Sequence, residues 1–290
     1  MSSLTSPGLI KAANEALVKI QPDINMVKLF AYDFSDDFAG YGFTVKVPVI
    51  DGGTVAEFDI DSNDYEHQSG TVTYAPIQLD TQLKTTFEFT GYDVLEAPNA
   101  PYWNKCAEAG AIAISRGISE YIGGMIDATS ADLSANAAVL SGDLTKAKLA
   151  KLRGLCKGRK GDTILALSPD YYNEMLALFD ANVYGGTQAV QDGMVEGLYG
   201  FKAVVELNDL PDGTVGALIP TNSIAVASRQ VAVGDESIYS EIGGATDENG
   251  FTITVMRHGS AAKGKGFMNV TTMFGAALVQ ADKIVALKNA

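Results

Sequence analysis

The chain has 290 residues, 47% of them hydrophobic, and a formal net charge of −14. That length and apolar content suffice for one large or two small domains with a real core, at roughly 100–200 residues per domain. The acidic balance excludes a broad basic surface for wrapping nucleic acid, and with no run of about 18 apolar residues no membrane span is expected.

Ser6-Pro7 reads as a helix start, with Ser as N-cap and Pro in the first turn. Leu9, Ile10, Ala13, Leu17 and Ile20 then share one helical face, and Gln21-Pro22 stops it. No charged segment followed by an apolar stretch marks a signal peptide at this end. Up to about Gly42 the chain is acidic and aromatic, and Tyr32, Phe34, Phe38, Tyr41 and Phe43 need burial. An arm docked on a neighbouring surface supplies it; packing on the chain's own core is equally legal.

From Thr44 the pattern turns to strands. Val45, Val47 and Val49 alternate with Thr44, Lys46 and Pro48, and a polar tip from Asp61 to Gly70 precedes the strand-like run from Thr71 to Phe89. Pro48 and Pro76 place these runs at edges or in exposed strands. A long hairpin of this kind cannot form a core by itself and reads as an arm that reaches something. Asn99 or Ala100 opens the clearest helix, to about Asp127, with Trp103, Ala107, Gly110, Ala111, Ile114, Ile118, Tyr121, Ile122 and Met125 in helical spacing. The glycines at 110, 117, 123 and 124 cost helix propensity and imply close packing or a bend.

Asp143 is the expected cap of a basic helix from Leu144 to about Lys157, and Thr163 to Leu167 a buried strand. Ser168-Pro169 opens a helix with Tyr172, Met175, Leu176 and Phe179 as its stripe. Then follow a Gly-rich loop, the unit "EGLYGFKAVVELNDLPDG" from Glu196 to Gly213, a strand from Val215 to Ile219, and a short helix or strand from Ile224 to Val233. Late strands are expected at Phe251 to Met256 and Val270 to Val279.

Chemistry-bearing patterns are sparse. "DIDSND", Asp59 to Asp64, starts like a calcium loop, but the sixth and twelfth positions hold Asp64 and Gly70 in place of Gly and Glu. "RHGS", Arg257 to Ser260, starts like a histidine phosphatase site, yet the only second histidine is His67 on the polar tip. "GLCKGRKGD", Gly154 to Asp162, lacks the spacing of a phosphate loop. Two His and two Cys make no tetrahedral zinc site, and Cys106 and Cys156 are expected as reduced thiols. No cofactor and no enzymatic activity are expected.

Charge is segregated along the chain. Ala31 to Glu96 carries 13 acidic and two basic residues, whereas Leu144 to Lys160 carries seven basic and no acidic ones. Two solvated faces explain this, and so does an acidic segment of one copy meeting a basic segment of another.

The order of parts resembles the major capsid proteins of tailed bacteriophages, those with the Hong Kong 97-type fold. "LALSPDYYNEMLAL" (165–178) is similar to the family's strand and Ser-Pro helix. "GLYGFKAVVELNDLP" (197–211) is similar to its Gly-aromatic-Gly strand and polar-Leu-Pro turn, and "FGAALVQADKIVAL" (274–287) to its closing strand. The resemblance implies an α+β chain. An N-terminal arm spans 1–43 and an extended E-loop hairpin 44–97. The peripheral (P) domain, 98–160, holds the long spine helix and the basic helix. The axial (A) domain spans 161–245, and 246–290 returns to the P-domain sheet and the C-terminus.

The implied function is a coat protein, in the virion capsid, that self-assembles as hexamers and pentamers into an icosahedral head around double-stranded DNA, without sequence-specific contacts. The implied partners are further copies of itself, a separate scaffolding protein, a portal protein and a decoration protein; no membrane is involved, and assembly takes place in the host cytoplasm. In this reading Asp59, Asp61, Asp64 and Glu66 at the hairpin tip meet Lys148, Lys151, Arg153, Lys157, Arg159 or Lys160 of the next copy. The alternatives are an encapsulin-like compartment around protein cargo and an acidic α/β hydrolase.

Overall fold

The computed structural model describes residues 8–18, 31–33, 44–50, 72–90, 100–132, 137–157, 160–178, 194–196, 198–231, 239–246, 251–260 and 264–289. Its axis is helix α2, Ala100–Asp132, with 33 residues. At about 1.5 Å per residue it is roughly 50 Å long, one turn beyond the expected end. Ala107, Ala111, Ile114, Ile118, Ile122 and Ile126 are buried and line one face. This 3–4 residue spacing is what fixed it as a helix.

Two sheets pack against that stripe. The first has six strands: β1 (Ala31–Asp33), β4 (Thr81–Phe89), β10 (Ile224–Arg229), β11 (Glu241–Thr246), β12 (Thr252–Ser260) and β13 (Lys265–Leu278). The 14-residue β13 is its backbone. β4 runs antiparallel along one edge of β13, from Phe89 opposite Gly266 to Thr81 opposite Phe274. On the other edge β12 and then β10 follow one another, both antiparallel. The segment after Ile224, open to helix or strand by sequence, is a strand: its backbone pairs with β13 and parallel β1, and its side chains are buried on both faces, Ile224 and Val226 on one and Ala225 and Ala227 on the other. Ring contacts seat α2 on this sheet: Trp103 meets Phe89 edge-on at 4.5 Å and Tyr121 meets Phe274 at 5.7 Å.

The second sheet has the order β5-β14-β9-β6-β8-β7, built from Ala137–Val139, Val285–Lys288, Thr214–Pro220, Thr163–Leu167, Ala203–Glu206 and Met194–Glu196. It is buried on both faces. Ile164, Ala166, Ala203, Val205, Ala217, Ile219 and Ala286 join the core around α2. The alternate residues Leu165, Leu167, Val204, Leu218, Val285 and Leu287 join a second core under α3 (Lys146–Leu155) and α4 (Pro169–Ala177). Double burial explains why β6 and β8 read as continuous apolar runs.

Three expectations are corrected here. Thr145, and not Asp143, caps α3: its Oγ1 accepts from the Lys148 amide at 3.2 Å. Helix α1, residues 8–18, does not reach out from the body: Leu9, Ala12, Ala13, Ala16 and Leu17 are buried in the chain's own main core, because small side chains let it lie close on β11. The stretch 274–287 is not one strand; it closes the first sheet as β13 and the second as β14. β10 and β11, within 161–245, belong to the first sheet. The aromatic residues Phe34, Phe38, Tyr41 and Phe43 lie outside the described residues.

The C-terminal part of α2 is tied to the second sheet by polar groups. Asp127 accepts a hydrogen bond from Thr214 Oγ1 at 2.6 Å and pairs with Lys288, which also donates to Thr214 at 2.9 Å. The Lys288 ammonium first, and then the Thr214 hydroxyl, hold the Asp127 carboxyl below its usual range. A lowered folded value means that this contribution is present above the ordinary carboxylate value and is lost as pH falls through the folded one. The Asp127 side chain is 34% exposed, which places the pair among modest ones. Asp127→Asn should therefore cost about 0.5–1 kcal/mol at pH 7. In urea denaturation the difference from wild type should shrink once the pH falls below about 3.9, the ordinary Asp value.

Candidate assembly surfaces

The hairpin is real and has two unlike ends. β2 (Thr44–Ile50) pairs antiparallel with β3 (Val72–Gln78), Thr44 opposite Gln78 and Ile50 opposite Val72, and with no other described strand. Each strand thus keeps an open edge, where Pro48 and Pro76 are tolerated. At the foot, Val47, Ile77 and Leu79 are buried against Ala225, Ala227 and the half-buried Met273 and Ala277. The crossing is so close that a Cβ on Gly275 would lie 2.2 Å from the Gln78 carbonyl oxygen. Further out the hairpin leaves the body: on the foot's own face Ala75 is half-buried and Thr73 exposed, and on the other face Val72 is 48% and Tyr74 62% exposed. Tyr74 sits opposite Pro48, and Lys46 opposite Pro76, on the face that points away from the foot contact. Neither Val72 nor Tyr74 stood out in the sequence, because alternation alone does not tell which face the body covers.

The expected acidic partners Asp59, Asp61, Asp64 and Glu66 lie outside the described residues, as does Arg159; of Lys160 only the backbone, at the start of a 3-10 turn, is described. The described basic residues divide. The Lys148 ammonium donates to the carbonyls of Ser141, Gly142 and Asp143 at 2.6, 3.1 and 2.5 Å, folding the loop before α3 around itself. Arg153 lies across the turn that opens the Gly-aromatic-Gly unit: a Cβ on Gly200 would be 2.7 Å from its guanidinium carbon. Lys151 and Lys157 are exposed. Two of the basic side chains thus serve their own subunit.

The Glu196 to Gly213 unit is accordingly a structural joint. Tyr199 at φ 47° and Gly200 at φ 79° make a left-handed turn between β7 and β8, under Arg153. The left-handed region costs a non-Gly residue about 1–2 kcal/mol, which the packing of Phe201, only 2% exposed, helps to hold. At the other end the Asp209-Leu210-Pro211 turn lies on α2. There a Cβ on Gly123 would meet the Asp209 carbonyl at 2.8 Å, and Arg116 pairs with Asp209 at 3.8 Å.

The remaining partial patterns have packing roles. Arg257 pairs with Glu241 at 2.9 Å and covers the Trp103 ring at 4.2 Å. His258 stacks on Phe267 at 5.1 Å and meets Tyr239 edge-on. Cys106 and Cys156 are free thiols, and burial pushes Cys106 above its usual value. Among the described residues no cluster of His, Cys, Asp or Glu is arranged to hold a metal, and no helix is long and apolar enough to cross a membrane.

Arg153→Ala should destabilise the chain by about 1 kcal/mol through lost packing, while Lys151→Ala should stay within about 0.5 kcal/mol of wild type. Denaturant unfolding of the two variants separates them, and equal values would mean that Arg153 does not hold the turn.

Against known proteins, residues 87–269 match the family model described as phage capsid protein. The fold is similar to that of a capsid structure of cyanophage P-SCSP1u (14% identity, TM-score 0.57, covering 91% of this chain and 88% of that one). It is also similar to a chain in the mature capsid of bacteriophage PhiM1 (11%, 0.54, 91% and 86%) and to one from Gordonia phage Cozz (12%, 0.58, 90% and 84%). No curated protein matches the sequence.

Proposed function

The chain belongs to the phage capsid protein family and has the Hong Kong 97-type fold, and from that premise we propose how its surfaces build a shell. It is a major capsid protein of a phage head, and it self-assembles. In our reading the product is an icosahedral lattice of hexamers and pentamers around double-stranded DNA, with a scaffolding protein, a portal protein and a decoration protein as partners and assembly in the host cytoplasm. Its role is structural and not catalytic. Residues 44–97 form the E-loop, α2 is the spine of the P domain, and the second sheet with α3 and α4 is the body of the A domain.

The observation that carries this reading is the hairpin's division of labour. Its foot is buried on the chain's own β10 and β13, while along the same face burial falls from Ile77 through half-buried Ala75 to exposed Thr73, and Val72 and Tyr74 on the other face are exposed as well. A two-stranded ribbon is marginal alone in water, so the outer part gains stability by lying on an adjacent copy. The hairpin tip, with Asp59, Asp61, Asp64 and Glu66, then meets the basic helix next door. Lys151, which is exposed, is the better placed partner, because Lys148 and Arg153 are engaged within their own subunit. Lys160 and Arg159 extend the same basic stretch in sequence. Each exposed pair is worth roughly 0–1 kcal/mol. Apolar contact therefore holds the lattice, and charge chooses the partner.

Electron microscopy of the purified chain, alone or with its scaffolding protein, should show closed particles. Tyr74→Asp and Lys151→Glu should each reduce particle yield about tenfold or more while leaving the circular dichroism of the unassembled chain unchanged, since about 1.4 kcal/mol per contact suffices for a factor of ten. Wild-type yield from both variants would reject the hairpin overlap and its charge pairing.

A further inference from the structure

We propose that the open edge of β4 pairs with β4 of a second copy across a two-fold axis through Thr86, joining two first sheets into one. This rests on the self-assembly reading and adds a contact that the hairpin overlap does not use.

β4 has nine residues and pairs with β13 along one edge only; among the described residues its other edge has no strand partner. Its register against β13 is unbroken from Phe89 to Thr81, without a bulge. It contains no proline. Natural sheets protect such edges with bulges, prolines, charged side chains or a covering element; β4 carries only the charges, Lys84 and Glu88, and these are of opposite sign, so they admit a strand that sets one against the other. The hairpin strands are poor donors to it, because Pro48 and Pro76 each lack the N–H that a ladder needs.

The sequence of β4 is complementary to itself. Antiparallel pairing about a two-fold perpendicular to the sheet keeps each face on its own side, so residues of like facing must oppose each other. An axis at Thr86 sets Lys84 against Glu88 twice, Thr86 against Thr86, and Gln82 against Thr90. On the α2 side it sets Leu83 against Phe89 and Thr85 against Phe87. Moving the axis by one residue of either neighbour sets Lys84 against Thr86 or against Thr90, and the charge match is lost.

Lys84 and Glu88 are both exposed. Glu88 already pairs with Lys265 across the strand, so the joined sheet would carry a row of alternating charge from Lys265 through Glu88 to the partner's Lys84. The other polar groups on this face turn inward: Gln82 donates to Thr271 at 3.1 Å, and Thr271 donates to the Leu83 carbonyl at 2.8 Å.

Thr86→Cys, in a full-length chain with Cys106 and Cys156 replaced by Ala, tests the axis. Directly opposed residues come close enough for a disulfide, whereas residues two positions off the axis do not. After mild oxidation of assembled particles, a non-reducing gel should show at least about tenfold more dimer for Thr86→Cys than for Lys84→Cys. A mixture of Lys84→Cys and Glu88→Cys chains should cross-link where neither does alone. Particles in which Thr86→Cys forms no more dimer than Lys84→Cys would overturn the pairing while leaving the shell reading intact. A Thr86→Cys dimer in solution with no particles at all would do the reverse.

Discussion

The apolar stripe of α2 is the constraint on which the rest depends. One row of Ala and Ile side chains is buried against both sheets at once, the first over its N-terminal two thirds and the second near its C-terminal end. A helix of this length could not be stable on propensity alone with glycines at 110, 117, 123 and 124; tertiary packing supplies most of a helix's stability in a protein. Two of those glycines repay their cost in contact distance. Val270 lies where a Cβ of Gly110 would be, at 2.7 Å, and the Asp209 carbonyl lies over Gly123. The polar lock of Asp127, Thr214 and Lys288 then fixes the second sheet at the far end of the same helix.

With both sheets held by one helix, what is left over becomes informative. The central strands of the second sheet are used up on both faces, so they contribute shape. The first sheet is not: part of its far face seats the foot of the hairpin, and among the described residues its β4 edge has no strand partner. In the proposed assembly the packed sheets keep the form, and the hairpin and the β4 edge are where copies meet. That combination suits a shell subunit, in which many weak contacts repeat over a closed lattice and no single one has to be strong.

Charge behaves differently from what a one-dimensional reading suggests. Between Leu144 and Lys160 the sequence holds seven basic residues in a row without an acid, which looks like one binding face. In three dimensions Lys148 curls back onto the three carbonyls before its helix, and Arg153 lies flat on Gly200. Long cationic side chains have the reach to satisfy local acceptors, and a backbone turn near a helix end offers them. A run of like charge thus overstates the surface that a partner can find.

The sequence by itself determined the elements whose period is strong: α2 from its spacing, β6 and α4 from an apolar run followed by Ser-Pro, the hairpin from Val45, Val47 and Val49, and with their order the fold class. Those signals are local, and burial of a periodic face is their direct cause. Only the tertiary structure decided that α1 packs on its own core, that 274–287 is shared between two sheets, which cations remain exposed, and that Tyr74 points away from the body. The packing of α1 and of the hairpin depends on what lies across a gap of a hundred or more residues, as Leu9 does on Gly243 and Ile77 on Ala225, and no local pattern in the chain records that distance.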